Sequence, residues 1–191
     1  NNEKNNNLDI QSENNEEIKK INNSIIFKIF KNQTIISTNL DDFRSLFYNN
    51  DSNLLGYKAW DYLDTKNLIP FVKRSSIELY TPQMLSLDLI DGVSYTKGCY
   101  PGQEIVARTH YLGESKKALF HIDIISNHNI DISSKIINHK SDKIAGDIIN
   151  IVKIDDDKYS CLSVLRKEFV DSELTINKND SVRIVRGVKS D

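Results

Sequence analysis

The chain has 191 residues and a mass of 21.9 kDa, is 39% hydrophobic and 27% charged, and carries a formal net charge of -2. That length suffices for one large domain or two small ones around a buried core. The near-balanced charge excludes a protein that holds nucleic acid chiefly by electrostatics, which needs a clear basic excess. No apolar run approaches the roughly 18 to 20 residues of a membrane helix. Cys99 and Cys161 make no disulfide framework and fit no zinc spacing, so a reducing compartment is the natural reading. Ile, Asn and Lys fill 66 positions while Ala fills four, a bias that reflects AT-rich codons. The Asn-x-Ser/Thr matches of so Asn-rich a chain therefore carry no weight.

Residues 1–23 hold four aliphatic side chains and no aromatic one. Such a segment does not offset its own ordering entropy, so it is expected to be disordered or a solvated insertion. It lacks the pattern of a secretory signal and the arginines of a transit peptide. The opening residue is Asn rather than Met, and the expectation is a piece of a longer protein. Order is expected from Ser24. Residues 25–30 and 34–38 read as two β-rich runs, and Lys31-Asn32-Gln33 between them is short enough for a hairpin. Asn39 reads as an N-cap, followed by Leu40, Phe43, Leu46 and Phe47 at helical spacing. Residues 54–96 are less regular and are broken by Pro70 and Pro82. Trp60, Tyr62, Phe71 and Tyr80 are expected to pack the connection between domains.

Residues 97–113, KGCYPGQEIVARTHYLG, are the informative stretch. Gly98 and Gly102 bracket Cys99-Tyr100-Pro101, which predicts a tight turn. Residues 103–110 can form about two turns of helix with Gly113 as a stop signal. Cys99 then stands just before a helix N-terminus and two residues from Lys97, and both features favour its thiolate. Gln103 and Glu104, in the first helical turn, can bond the ring nitrogens of a ligand or cap the helix. Arg108 lies one turn beyond Glu104, so an i,i+4 salt bridge is equally available. On these residues alone, a reactive thiol and a structural turn with a half-buried cysteine are both open readings.

After Gly113 the pattern changes. Residues 118–125, 143–154, 158–170 and 181–188 are β-rich runs separated by Asp, Asn, Ser and Gly. They predict a small antiparallel β-barrel or sandwich, with a boundary near residue 115. Asp155-Asp156-Asp157 reads as a hairpin turn, and Cys161 as a core residue of a strand. The four histidines show no metal-ligand spacing. Lys116-Lys117 can touch a phosphate or a polyglutamate tail, or form a solvated strand end.

The string Lys97-Gly98-Cys99-Tyr100-Pro101-Gly102-Gln103-Glu104 resembles the signature of the YgfZ-type folate-binding proteins. Tyr80-Thr81-Pro82-Gln83-Met84-Leu85-Ser86-Leu87-Asp88, Asp91-Gly92-Val93-Ser94-Tyr95, Val106-Ala107-Arg108-Thr109-His110-Tyr111 and Gly113 with Lys116-Lys117 also fit that family. Ile69-Pro70 resembles an earlier landmark, with Asn67-Leu68 where a glycine is expected. The resemblance covers about 165 residues and implies an α+β fold. Residues 24–115 are then the C-terminal part of a glycine-cleavage T-protein-like mixed domain, and residues 116–191 a small antiparallel β-barrel. It implies a reduced folate such as tetrahydrofolate as ligand, near Tyr100, Gly102, Gln103, Glu104 and Arg108. It further implies Cys99, helped by Lys97, as the functional thiol, and no resident metal.

The expected role is that of an accessory factor for assembly or repair of iron–sulfur enzymes, supporting tRNA modification through them. The alternative is a folate-dependent aminomethyl transferase, although the part of the T-protein that holds its catalytic acid has no counterpart here. Expected partners are iron–sulfur assembly proteins or client enzymes, with no membrane and no direct nucleic-acid contact, because neither a basic stripe nor an aromatic stacking platform is evident. The expected location is the bacterial cytoplasm, or the mitochondrial matrix for a eukaryotic source.

Overall fold

The computed structural model describes residues 18–21, 24–30, 33–49, 55–98, 100–177 and 180–187. The chain divides into two compact units, 1–59 and 60–191. In the first, β1 (Ile18–Ile21), β2 (Ser24–Phe30) and β3 (Gln33–Ser37) form an antiparallel sheet in that order. Residues 18–21 therefore correct the expectation of disorder up to residue 23. Their backbone groups pair with β2 from Ile18 opposite Phe27 to Ile21 opposite Ser24, and that ladder supplies what composition did not suggest. The expected hairpin lies between β2 and β3, although Lys31 and Asn32 fall outside the described residues. Helix α1 (Leu40–Asn49) starts as its sequence predicts. Asn39 Oδ1 accepts from the Asp42 N–H at 2.8 Å and its Nδ2 donates to Asp42 Oδ2 at 2.9 Å, a reciprocal cap.

Helix α2 (Tyr57–Lys66) was not anticipated in the Pro-broken stretch. It ends in a 6→1 bond from the Ile69 N–H to the Asp64 carbonyl at 2.9 Å and a further bond from the Leu68 N–H to the Thr65 carbonyl at 3.2 Å. That is a Schellman stop with Leu68 at the left-handed position, φ +60°. A side chain with a Cβ is strained in this conformation, which glycine adopts freely. Leu68 tolerates it because it is only 3% exposed, packed among Leu85, Leu119, Ile149, Leu162 and Val164.

Helix α3 (Gln103–Leu112) is followed by a closed antiparallel barrel. Its strands are β4 (Lys117–Ile125), β5 (Lys135–Asn138), β6 (Ile144–Lys153), β7 (Lys158–Arg166), β8 (Leu174–Thr175) and β9 (Ser181–Gly187), in spatial order β4-β7-β6-β5-β8-β9. The fold is thus α+β with a six-stranded barrel. Sequence patterning located the four longer strands and missed β5 and β8, which are too short to show alternation. The run predicted over 158–170 ends at Arg166, where a 3-10 turn, Lys167–Phe169, takes over. The Asp-rich turn joins β6 to β7 as read, with the Ile154 N–H bonded to the Lys158 carbonyl at 2.9 Å.

Ile122, Ile124, Ile136, Ile148, Tyr159, Cys161 and Leu165 fill the barrel interior. Gly146 lets β6 approach β7: a Cβ there would stand 2.4 Å from the Val164 carbonyl oxygen. A second cluster lies outside the barrel wall. Leu119, Ile149, Leu162 and Val164 meet Leu68 and Leu85, with Tyr80, Met84 and Leu87 at the edge. Both faces of β7 are therefore covered, and every residue from Tyr159 to Leu165 is buried. Of the aromatics expected to pack this connection, Tyr80 does so, whereas Phe71 is 51% exposed.

Candidate functional site

The signature segment belongs to the second unit and reaches α3 through a tight turn. The Gln103 N–H bonds the Tyr100 carbonyl at 3.2 Å, Pro101 holds the second corner, and Gly102 takes φ +84°, ψ −2° at the third. That is a type II turn, which places Pro and Gly where the sequence has them. The Gln103 side chain then reaches back, its Oε1 accepting from the Tyr100 N–H at 3.3 Å. The Gln103 oxygen is thus spent on closing the turn, the N-cap Gly102 makes no side-chain cap bond, and the Gln103 amide nitrogen remains a donor at the helix start. Helix α3 runs to Leu112, two residues beyond the predicted end, and Gly113 follows as the stop.

Lys97, Gly98, Tyr100, Gly102, Glu104 and Arg108 are all exposed. No salt bridge joins Glu104 to Arg108 among the described residues, so the ordinary i,i+4 pair is not formed. Cys99 lies outside the described residues. Cys161 is fully buried in the barrel, and burial pushes its thiol far up, with Asp123 adding to the effect. It is a core residue.

Four residues that sequence reasoning left out of the site organise it: Gln83, Tyr95, His110 and Tyr111. Gln83 is 7% exposed and donates from Nε2 to the Val106 carbonyl at 2.7 Å and to the Tyr95 hydroxyl at 3.3 Å. It thereby ties the turns before the signature to the middle of α3, while its Oε1 is buried with no protein partner. Tyr95 stacks on His110 with ring centroids 3.7 Å apart and planes 14° apart, and Tyr111 stands edge-on to both. Burial raises the Tyr95 hydroxyl above its ordinary pKa; the Gln83 bond opposes this, and nearby Asp88, Tyr100 and Tyr111 add to it. Tyr100, His110 and Tyr111 thus gather around Tyr95. The spacing of His110 and Tyr111 from Tyr95 gave no periodic signal, because Tyr95 stands in irregular chain.

A cavity of about 160 Å³ opens between this group and the barrel, lined by Gln83, Ser86, Asp88, Thr109, His110 and Lys117 among others. Ser86 takes φ +54° here and its hydroxyl accepts from the Leu119 N–H at 3.3 Å, which pins the lining to the start of β4. Among the described residues, no group of three or more His, Cys, Asp or Glu is placed to hold a metal ion, and no helix is long and apolar enough to cross a membrane. Chemically, the arrangement offers an amide donor and a carboxylate at a helix N-terminus, with a small aromatic wall along the same helix.

No family model matches the chain. Curated relatives do. The tRNA-modifying protein YgfZ of Blochmanniella pennsylvanica is 29% identical over 162 residues, 80% of this chain and 48% of that protein. The protein of the same name from Hamiltonella defensa is 30% identical over 131 residues, 67% of this chain and 39% of its own. That of Colwellia psychrerythraea reaches 48% identity over 62 residues, 32% of this chain and 19% of its own. The chain spans about half the length, or less, of the curated relatives it matches.

Proposed function

We propose, for a chain that belongs to the family of the tRNA-modifying protein YgfZ, that it binds a reduced folate at the start of α3 and serves as an accessory factor for assembly or repair of iron–sulfur enzymes. Its link to tRNA modification then runs through those enzymes. Residues 24–115 act in this reading as part of a T-protein-like folate-binding domain. The observation that carries it is the turn at residues 100–103. It leaves the Gln103 amide nitrogen and, one residue on, the exposed Glu104 carboxylate in the first turn of α3, with the Tyr95–His110 stack toward the other end of the same helix. A pterin ring needs an acceptor for its N–H edge and a donor for its carbonyl, and the first turn of α3 carries both residue types. Tyr100 and Gly102 shape the entrance, and Arg108, free of Glu104, is available to an anionic group of the ligand.

Cys99 supplies a thiol next in sequence to Tyr100, and Lys97 two residues before it favours its thiolate. It receives or protects a one-carbon unit, a sulfur or a cluster ligand delivered by a partner, since a single Cys does not hold a cluster. The test is tetrahydrofolate binding by calorimetry, on the 191-residue chain and on a chimera that adds the part of the Blochmanniella relative outside the matched 48%. Gln103→Ala with Glu104→Ala should weaken binding at least about tenfold, roughly the loss of two hydrogen bonds. Undiminished binding by that double variant would refute the site. Turnover of an aminomethylated donor by the chimera would instead support the transferase alternative.

A further inference from the structure

Beside α3 the first rungs of the barrel carry a charge pattern that packing does not require. Lys117 stands directly opposite Arg166 in the β4–β7 register, and the Lys167 N–H bonds the Lys116 carbonyl at 2.9 Å. Two like-charged pairs therefore follow one another across the ladder, an arrangement that weakens strand pairing. Among the described residues, two carboxylates answer the four cations. Lys167 bonds Glu114, and Arg166 approaches Glu168 at 3.6 Å. Lys116 and Lys117 form no ion pair among the described residues. These six residues, with Ser115, line an open cleft of about 510 Å³.

The cleft begins just beyond the C-terminal end of α3. The ten residues of α3 span about 15 Å, a length comparable to the reach of a folate from its pterin to its glutamate. We propose that this cleft binds the γ-glutamyl tail of a folate, with two of its carboxylates received by Lys116 and Lys117; the proposal rests on the folate reading above and extends it. A short chain of carboxylates suits the site better than a nucleic acid does. Glu114 and Glu168 flank the two free lysines and repel a continuous phosphate backbone, whereas a flexible tail can set single carboxylates between them. The net charge of the chain supplies no wider positive field for RNA.

The experiment compares monoglutamyl and pentaglutamyl tetrahydrofolate, and free γ-linked pentaglutamate, on the wild-type chain and on Lys116→Gln/Lys117→Gln. The expected result is about tenfold tighter binding of the pentaglutamyl form, an advantage lost in the double variant and at high salt, with the pentaglutamyl form losing more affinity than the monoglutamyl one. Equal affinity for the two folates, or an equal loss of both in the variant, overturns the proposal. Binding of a tRNA transcript that depends on the two lysines, without discrimination between tail lengths, overturns it in favour of RNA. Binding of free pentaglutamate that the variant loses, with no binding of monoglutamyl folate, would refute the pterin site while supporting recognition of the glutamyl chain.

Discussion

Leu68 sets two energies against each other at one position, and substitution separates them. Its side chain is 3% exposed in the cluster outside the barrel wall, and truncating such a leucine costs about 3 kcal/mol. Its backbone sits at φ +60°, which costs a residue with a Cβ about 1 kcal/mol and glycine almost nothing. Leu68→Ala loses the burial and keeps the strain; Leu68→Gly loses the burial and relieves the strain. Both variants should be less stable than the parent, yet the glycine variant should exceed the alanine variant by about 1 kcal/mol. That order is the reverse of the usual one inside a helix, so Ala107→Gly in α3 serves as control and should lose about 1 kcal/mol. Urea denaturation, read from midpoints at constant slope, resolves differences of this size. An alanine variant at 68 as stable as the glycine variant, or more so, would refute the strain assigned to the left-handed stop.

His121 is 4% exposed, shares a 2.8 Å hydrogen bond with the Ser160 hydroxyl, and has its pKa lowered by burial, against the opposing pull of Asp123 and with help from Lys66, Arg183 and Arg186. A lowered folded-state value means that the unfolded chain takes up the proton first. The stabilisation is therefore full above about pH 6.5 and is lost as pH falls through the folded value; His121→Gln should flatten that slope in a pH series of thermal midpoints. Cys161, its thiol raised by burial, should resist iodoacetamide at about pH 8 in the native protein and react at once in denaturant. Prompt native labelling at Cys161 would mean that the barrel opens.

Much of the barrel was legible because its longer strands are bounded by turn residues and rich in β-branched side chains. The alternation along them was weaker evidence, and the reason is visible in β7. With Tyr159, Cys161 and Leu165 facing inward and Leu162 and Val164 packed against the outer cluster, its two faces are equally apolar. Residues 4 and 2 long, as β5 and β8 are, carry no period at all. Helix α2 was hidden for another reason: Pro70 lies past its Schellman stop and only marks where it cannot continue.

The site was legible in its local chemistry and not in its coupling. Pro101, Gly102 and Gln103 state a type II turn and a helix start by their own conformational limits, so one sequence suffices to place them. Gln83 states nothing of the kind, being one polar residue in a turn. Yet its two donated hydrogen bonds hold α3 and Tyr95 to the segment that also contributes Leu85 and Ser86, and these two reach Leu162 and the Leu119 N–H of the barrel. The outward face of β7 thus bears on the position of the turn at residues 100–103. A barrel substitution such as Leu162→Ala should consequently weaken the folate binding proposed at that turn as well as stability, although Leu162 packs in the cluster outside the barrel wall and not at the turn. Glutamine at position 83, with one donor pair spent on the protein and one buried oxygen left over, is the link through which that effect must pass.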